Sequence, residues 1–340
     1  MAIQVAVTKP EFQKAQGVFS RAIAEELQCL PAPDDEKELA TMLRQEGIRY
    51  VIIGVAPYGG PLYEALNPGS VIARFGVGHD GVDKTKATQR SILCTNTPGV
   101  LDDSVAEHTM GLLLALARHT PAQIHDALAG RWSPRMGTEL NAKRVAVIGC
   151  GAIGRRVGRI AARGFGMEVV GFKRSAAESQ RLQAEFGFQQ IVTDFAEAVR
   201  GASFISLHLP ATLETYHFLN RPRLESLSTG CFLINTARGS LVDESALYDV
   251  MASGRLGGAA LDVFEREPYK PQARGKDLSQ LPSVIMTPHI GSSTQEACDR
   301  MARSALRNIQ LAVTGKYAEM SLLNRDVLSQ SQMRPETPTP

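Results

Sequence analysis

Two short stretches carry residue types at spacings that can do chemistry. Gly149, Gly151 and Gly154 follow the apolar run Val145–Ile148 in the order G-x-G-x-x-G, and Ile153, Val157, Ile160 and Ala161 then recur at helical period. A strand, a glycine turn and a helix in that order form a cradle for a dinucleotide. The first glycine permits the tight turn, the second lets backbone approach the pyrophosphate, and the third lets helix and strand pack closely. The helix N-terminus then offers unpaired N–H groups to the phosphates. The alternative is a plain tight turn in a nucleotide-free α/β domain. About 20 residues beyond the glycines, where an NAD site would place an acid on the adenosine ribose, the chain reads Gly171-Phe172-Lys173-Arg174-Ser175. An acid would repel a 2′-phosphate, whereas Lys173 or Arg174 with the Ser175 hydroxyl would pair with one. The pattern predicts NADP in preference to NAD, the alternative being a solvated basic turn in an NAD site.

The elements that must position these residues alternate in type. Ahead of the cradle, Ile3–Val7, Tyr50–Val55, Val71–Phe75 and Leu93–Asn96 read as strands, with helices over Glu36–Gln45 (stopped by Gly47), up to Leu66 and over Asp83–Gln89. Pro98-Gly99 is a hinge candidate. Ser104 and Glu107 read as a capping box opening a helix through Arg118. Its Met110, Leu112, Leu113, Leu114 and Leu116 cover more than one face, which fits either a dimer interface or a central core helix. After the cradle, strands at 168–172, 189–193, 203–207, 231–235, 257–262 and 284–286 are interleaved with helices at 176–186, 194–199 and 243–252. Such alternation specifies a doubly wound parallel sheet of Rossmann-like type, because parallel neighbours need crossover connections. A second capping box, Ser293 with Glu296, opens a helix that Gly315 stops. Residues 329–340, polar and proline-rich, are expected to be disordered.

Bulk properties exclude several classes of function. The 340 residues suffice for two domains, and 44% hydrophobic with 21% charged residues is ordinary globular composition. A formal net charge of +2, with no single-sign block, gives no reason to expect nucleic acid as a partner. The apolar run Met110–Ala117 is too short to span a bilayer, and the first residues lack the pattern of a signal peptide, so a cytoplasmic protein without membrane attachment is expected. Cys29, Cys94, Cys150, Cys231 and Cys298 include no C-x-x-C pair, so reduced thiols are expected and no metal.

Taken together, Gly76-Val77-Gly78-His79-Asp80, Asn96-Thr97-Pro98-Gly99, the cradle, Asn235-Thr236-Ala237-Arg238-Gly239, Leu261-Asp262-Val263-Phe264-Glu265-Arg266-Glu267-Pro268 and Thr287-Pro288-His289-Ile290-Gly291 resemble, in the same order, the D-isomer-specific 2-hydroxyacid dehydrogenases. The match covers roughly residues 50 to 315. The resemblance implies a flavodoxin-like α/β substrate-binding domain built from residues 1–101 and 289–328, with a dinucleotide-binding Rossmann domain, 102–288, inserted in it. It implies Arg238, Glu267 and His289 as catalytic residues. A homodimer is expected from the apolar helix carrying Met110 to Leu116. Ser104, Leu209, Pro210, Thr236, Ala237, Asp262 and Gly291 would join Gly149, Gly151, Ile153 and Gly154 at the cofactor. Val77 and Gly78 would bind substrate through backbone N–H groups.

The chemistry of a 2-keto acid and 2-hydroxy acid pair asks for the same kinds of side chain. Hydride transfer to a ketone builds negative charge on its oxygen, so an acid must supply a proton and a cation must fix the substrate. His289 titrates near neutrality as a residue type, Glu267 can orient it, and the forked guanidinium of Arg238 can hold a carboxylate in a way that lysine cannot. The other six histidines are read as structural, His208 least firmly. An arginine that family members acting on phosphoglycerate carry after the second strand of the first domain is replaced by Val55-Ala56-Pro57-Tyr58-Gly59-Gly60, which points to a small unphosphorylated 2-keto acid with Tyr58 as a pocket wall. The alternatives are a dinucleotide-sensing scaffold related to the C-terminal-binding co-repressors, and a phosphoglycerate or phosphite dehydrogenase. Formate dehydrogenases pair their histidine with glutamine, which Glu267 argues against.

Overall fold

The computed structural model describes residues 2–22, 26–175 and 177–329. Two compact units divide the chain, one formed by residues 1–101 with 292–340 and the other by the uninterrupted run Asp102–Gly291. In the first unit, strands β1 (Ile3–Thr8), β2 (Leu27–Ala32), β3 (Tyr50–Ile53), β4 (Val71–Arg74) and β5 (Leu93–Thr95) form a parallel sheet in the order β2-β1-β3-β4-β5. This is the flavodoxin-like order. Strand β2 was not expected, because Pro31 interrupts its apolar run. It is tolerated at the sheet edge, where a missing N–H breaks no ladder.

The later part of the chain completes this first sheet. The side chain of Asn324 accepts from the N–H of Cys94 at 2.9 Å and donates to the carbonyl of Ile92 at 2.9 Å. Asn308, on the helix Gln295–Val313, donates to the carbonyl of Asn96. That helix is capped by Thr294, whose hydroxyl accepts from the N–H of Ala297, and not by the Ser293 of the expected capping box.

The second unit carries β6 (Arg144–Ile148), β7 (Glu168–Phe172), β8 (Gln190–Val192), β9 (Phe204–Leu207), β10 (Phe232–Asn235), β11 (Gly258–Leu261) and β12 (Val284–Met286). All are parallel, in the order β12-β11-β10-β9-β6-β7-β8. This is the doubly wound Rossmann order, whose strand sequence reverses between β6 and β9, and ligands of such sheets bind beyond the carboxyl ends at that point. One face packs Ile205, Leu207, Leu233, Leu241 and Leu247 into a core. The other packs Val145, Val147, Val157, Leu113 and Ile234.

Three boundaries differ from the sequence reading. The helix after Leu101 starts at Asp102, so Ser104 lies inside its first turn and the Ser104–Glu107 pair is not a capping box. The helix expected over 176–186 starts at Ser179, because Glu178 adopts a left-handed backbone at φ +65° and lengthens the turn after β7. Residues His289 to Gly291, expected in the first unit, fold with the second, where Asp262 binds the N–H groups of Ile290 and Gly291, as described below. The tail expected over 329–340 lies, from residue 330 onward, outside the described residues.

The apolar helix Asp102–Ala117 buries Val105, Met110, Leu112, Leu113 and Leu116 within the one chain, against β10, β11 and the helix Ala152–Phe165. It is a core helix. Several exposed apolar side chains lie just beyond it. In and after the helix Thr120–Leu128, which buries none of its own residues, Ile124 and Leu128 are exposed, Trp132 is 89% exposed and Met136 92%.

Candidate active site

The cradle sits where the strand order reverses. Gly149 follows β6 at φ +101°, and a Cβ there would lie 2.7 Å from the carbonyl oxygen of His208, at the end of β9. At Gly154 an added Cβ would meet the Gly149 oxygen at 2.0 Å, so helix and turn close on each other only because both positions are glycine. Gly151 faces open space within the structure and caps the helix Ala152–Phe165 without any side-chain partner, leaving the first-turn N–H groups to a ligand. A pyrophosphate fits that combination of room and donors. Ile153 is half-buried against the core, while Leu209 and Pro210 follow β9 on the same edge of the sheet.

His289 and Glu267 meet directly. His289 Nδ1 lies 2.7 Å from Glu267 Oε2, and Glu267 Oε1 accepts from the N–H of Phe264 at 3.0 Å. A carboxylate can only accept, so Nδ1 is the donor and Nε2 is left to exchange a proton with a ligand. The N–H of His289 bonds to the carbonyls of Asp262 and Thr287, holding the residue at φ +53°. Arg238 follows β10; its carbonyl accepts from Asn235 Nδ2, and its Nη1 donates to the carbonyl of Ala237 at 2.6 Å. The next residue fixes its neighbourhood, since a Cβ on Gly239 would lie 1.8 Å from the carbonyl carbon of Phe264. The Arg238 loop therefore packs on the turn that carries Glu267.

Asp262, at the end of β11, is gathered into a network of hydrogen bonds. It is 1% exposed; Oδ1 accepts from Thr287 Oγ1 at 2.6 Å and from the N–H of Ile290 at 2.8 Å, and Oδ2 accepts from the N–H of Gly291 at 2.8 Å. His108 Nε2 stands 3.4 Å from the same carboxylate. Burial alone would raise its pKa, but His108, Thr287 and the two N–H groups outweigh burial and hold it below the ordinary carboxylate range. The carboxylate thus clamps the segment from which His289 projects. Ser104 adds to the clamp by donating to the carbonyl of Gly291 at 2.8 Å, and Thr236 bonds through its hydroxyl to Thr109. Ala237 donates its N–H to Asn235 Oδ1. His108 and Thr287 are the contributors that sequence reading missed; they lie far from Asp262 along the chain, and no spacing rule links them.

His208 lies at the end of β9, its carbonyl beside Gly149. Burial presses its pKa down to about 3, so the ring is neutral, and Ser206 Oγ lies 2.8 Å from Nε2. Among the described residues no group of three or more His, Cys, Asp or Glu side chains is arranged to hold a metal.

The basic turn after β7 is more exposed. Lys173 Nζ donates to the carbonyl of Ala177 at 2.9 Å and sits 3.4 Å from Glu178 Oε2, while Ser175 Oγ accepts from the N–H of Ala177. Arg174 is exposed. In the first unit, Asn96 Nδ2 donates to the Val77 carbonyl at 2.8 Å, and the N–H groups of Val77 and Gly78 have no partner among the described residues. Tyr58 does not line an open pocket as expected. It is 2% exposed and packs with Leu62, Tyr63 and Val82, whereas Val55 is the exposed apolar side chain of that loop.

Comparison with known proteins adds to this geometry. The D-isomer specific 2-hydroxyacid dehydrogenase NAD binding domain matches residues 110–291. A glyoxylate reductase of Thermococcus litoralis is 36% identical over 270 residues, 77% of this chain and 78% of its own length. An NADPH-dependent glyoxylate/hydroxypyruvate reductase of Sinorhizobium meliloti, solved with NADP and malonate, superposes with a TM-score of 0.75 at 26% identity, covering 92% of this chain and 94% of its own. A D-lactate dehydrogenase of Aquifex aeolicus, solved with NAD and lactic acid, gives 0.78 at 27% identity, covering 94% and 99%.

Proposed function

Because the chain belongs to the D-isomer specific 2-hydroxyacid dehydrogenase family, we propose that it reduces a small unphosphorylated 2-keto acid such as glyoxylate or hydroxypyruvate, with NADP(H) preferred over NAD(H). It is an NAD(P)-dependent oxidoreductase that transfers hydride between 2-keto and 2-hydroxy acids. The observation that carries the assignment of roles is the 2.7 Å pair of His289 Nδ1 with Glu267, itself held by the N–H of Phe264. The nicotinamide, when bound, supplies or accepts the hydride. His289 delivers the proton to the carbonyl oxygen from Nε2, and takes it back in the oxidation direction. Glu267 keeps the ring in that tautomer and orientation. Arg238 fixes the substrate carboxylate and stabilises charge on the carbonyl oxygen. The N–H groups of Val77 and Gly78, in the first unit, are assigned to substrate binding.

Gly149, Gly151 and Gly154 would seat the pyrophosphate, with Ile153, Leu209, Pro210, Thr236 and Ala237 around the rest of the cofactor. Asp262 would contact the nicotinamide amide, with Ser104 and Gly291 beside it at the cofactor, while the same three residues hold the His289 segment. Lys173, Arg174 and Ser175 would face the 2′-phosphate. The exposed Ile124, Leu128, Trp132 and Met136, near one another in sequence, are assigned to a homodimer interface, since large apolar side chains in number are rarely left in water. A cytoplasmic setting fits five free cysteines, four of them buried. Among the described residues no helix is long and apolar enough to cross a membrane.

A matrix of NADPH and NADH against glyoxylate, hydroxypyruvate, pyruvate and phosphohydroxypyruvate tests the proposal. The expected result is a higher kcat/KM with NADPH and turnover of glyoxylate or hydroxypyruvate. Turnover of phosphohydroxypyruvate alone would overturn the substrate reading, and a higher kcat/KM with NADH the cofactor reading.

A further inference from the structure

A second carboxylate, outside the catalytic set, grips the turn that carries Glu267. Glu244, first residue of the helix Glu244–Ala252, is 5% exposed. Its Oε1 accepts from the N–H of Glu265 at 2.7 Å, and the Glu265 carboxylate reciprocates by accepting from the N–H of Glu244 at 3.2 Å. The other oxygen of Glu265 lies 3.1 Å from His217 Nε2. The turn is thus bonded at consecutive backbone positions, residue 264 to Glu267 and residue 265 to Glu244. Gly239 lets the Arg238 loop close on the same turn.

We propose that Glu244 is a positioning residue for the acid/base pair, fixing through the 264–267 turn the place from which Glu267 holds His289 and coupling the proton of that pair to its own charge. The proposal rests on the reading of Glu267 and His289 as that pair. Glu244 is not a structural carboxylate that stays ionised. Burial is the main cause that pushes its pKa up to about 7; the N–H of residue 265 opposes the rise, and the charges of Glu265 and Glu267 add to it. Its second oxygen has no partner among the described residues. The charged and titratable groups around it are Glu265 and Glu267 on the turn, His217 ahead of β10, Tyr269 beyond the turn, Asp243 as N-cap of its own helix, and Lys276, bonded to Ser245.

A charge that appears on Glu244 above neutrality favours a proton kept between Glu267 and His289. In keto-acid reduction that proton is consumed, so the alkaline limb of the kcat/KM profile lies at higher pH with Glu244 than without its charge. Glu244→Gln retains an oxygen for the N–H of residue 265 and removes the charge. It should leave kcat/KM at the optimum within about threefold while moving the alkaline limb down by about half a pH unit. Glu244→Ala also loses the grip and should lower kcat about tenfold with the KM for NADPH unchanged. Glu267→Gln, measured alongside, should lose at least about a hundredfold at every pH. A Glu267→Gln enzyme of wild-type activity would overturn the acid/base reading and this proposal with it. An inactive Glu267→Gln beside a Glu244→Gln whose alkaline limb stays at the wild-type pH would overturn the proposal alone.

Discussion

Asp262 and Glu244 are both buried carboxylates of the second unit, and each binds backbone N–H groups of a segment carrying one half of the His289–Glu267 pair. Their protons behave oppositely. Asp262 collects a hydroxyl, two N–H groups and His108 about its oxygens, and its pKa falls although burial works to raise it. Glu244 has one N–H donor and two carboxylates as neighbours, and its pKa rises to about 7. Burial pushes both upward and is the main cause at Glu244; what sets the two apart is the number of donors and like charges around each carboxylate. The His289 segment is held by a permanent anion, and the Glu267 turn by an acid that titrates in the working range.

The largest expected effect comes from breaking the contact beneath the Glu267 turn. Gly239→Ala must displace the backbone of Phe264 and should cost about 4 kcal/mol, read as a large fall in Tm or as failure to accumulate folded protein. Asp262→Asn should cost about 3 kcal/mol, because its amide nitrogen meets the N–H of either Gly291 or Ile290, donor against donor. Chemical denaturation would measure it, and a loss under 1 kcal/mol would mean that the clamp is not formed.

The opposite pKa shifts give opposite signs with pH. The depressed pKa of Asp262 contributes stability that is present above the ordinary carboxylate range and is lost as pH falls through about 4 and below. The raised pKa of Glu244 works the other way, favouring the fold at low pH and ceasing to do so as pH rises from about 4.5 to about 7. Glu244→Gln should therefore gain on wild type by up to about 2 kcal/mol between pH 5 and pH 8 in paired melts. A difference that stays flat across that range would remove the contrast with Asp262.

The smallest expected effect lies at the exposed turn after β7, which neither carboxylate touches. Lys173→Ala with Arg174→Ala should lower the NADPH-to-NADH ratio of kcat/KM about tenfold with Tm nearly unchanged, since exposed ion pairs such as Lys173–Glu178 contribute little to stability.

What could be read in the sequence follows the range of the interactions involved. The cradle was legible because strand, glycines and helix are contiguous, and the alternation of elements after it specified the doubly wound sheet. Arg238, Glu267 and His289 were legible only through the order of their motifs, since no spacing rule brings residues 22 positions apart to 2.7 Å. Ser104 was misread because the Ser-x-x-Glu pattern recurs within a helix that Asp102 already begins. Tyr58 was misread because a loop tyrosine shows nothing of the core it enters. The roles of Glu244 and His108 have no signature at all, being set by which loops the sheet brings together.

The side chain of Asn324 has a consequence for the order in which the molecule is made. It completes hydrogen bonds with Cys94, 230 residues earlier, so the first sheet cannot be finished when its own strands leave the ribosome. At about 5–20 residues per second, those strands wait roughly 10–50 s for their last partner, while the whole of the second unit is synthesised in between. During that interval Cys94 and Ile92 stand at an unfinished sheet edge, which makes a nascent chain stalled before residue 324 the form most exposed to chaperones and proteases.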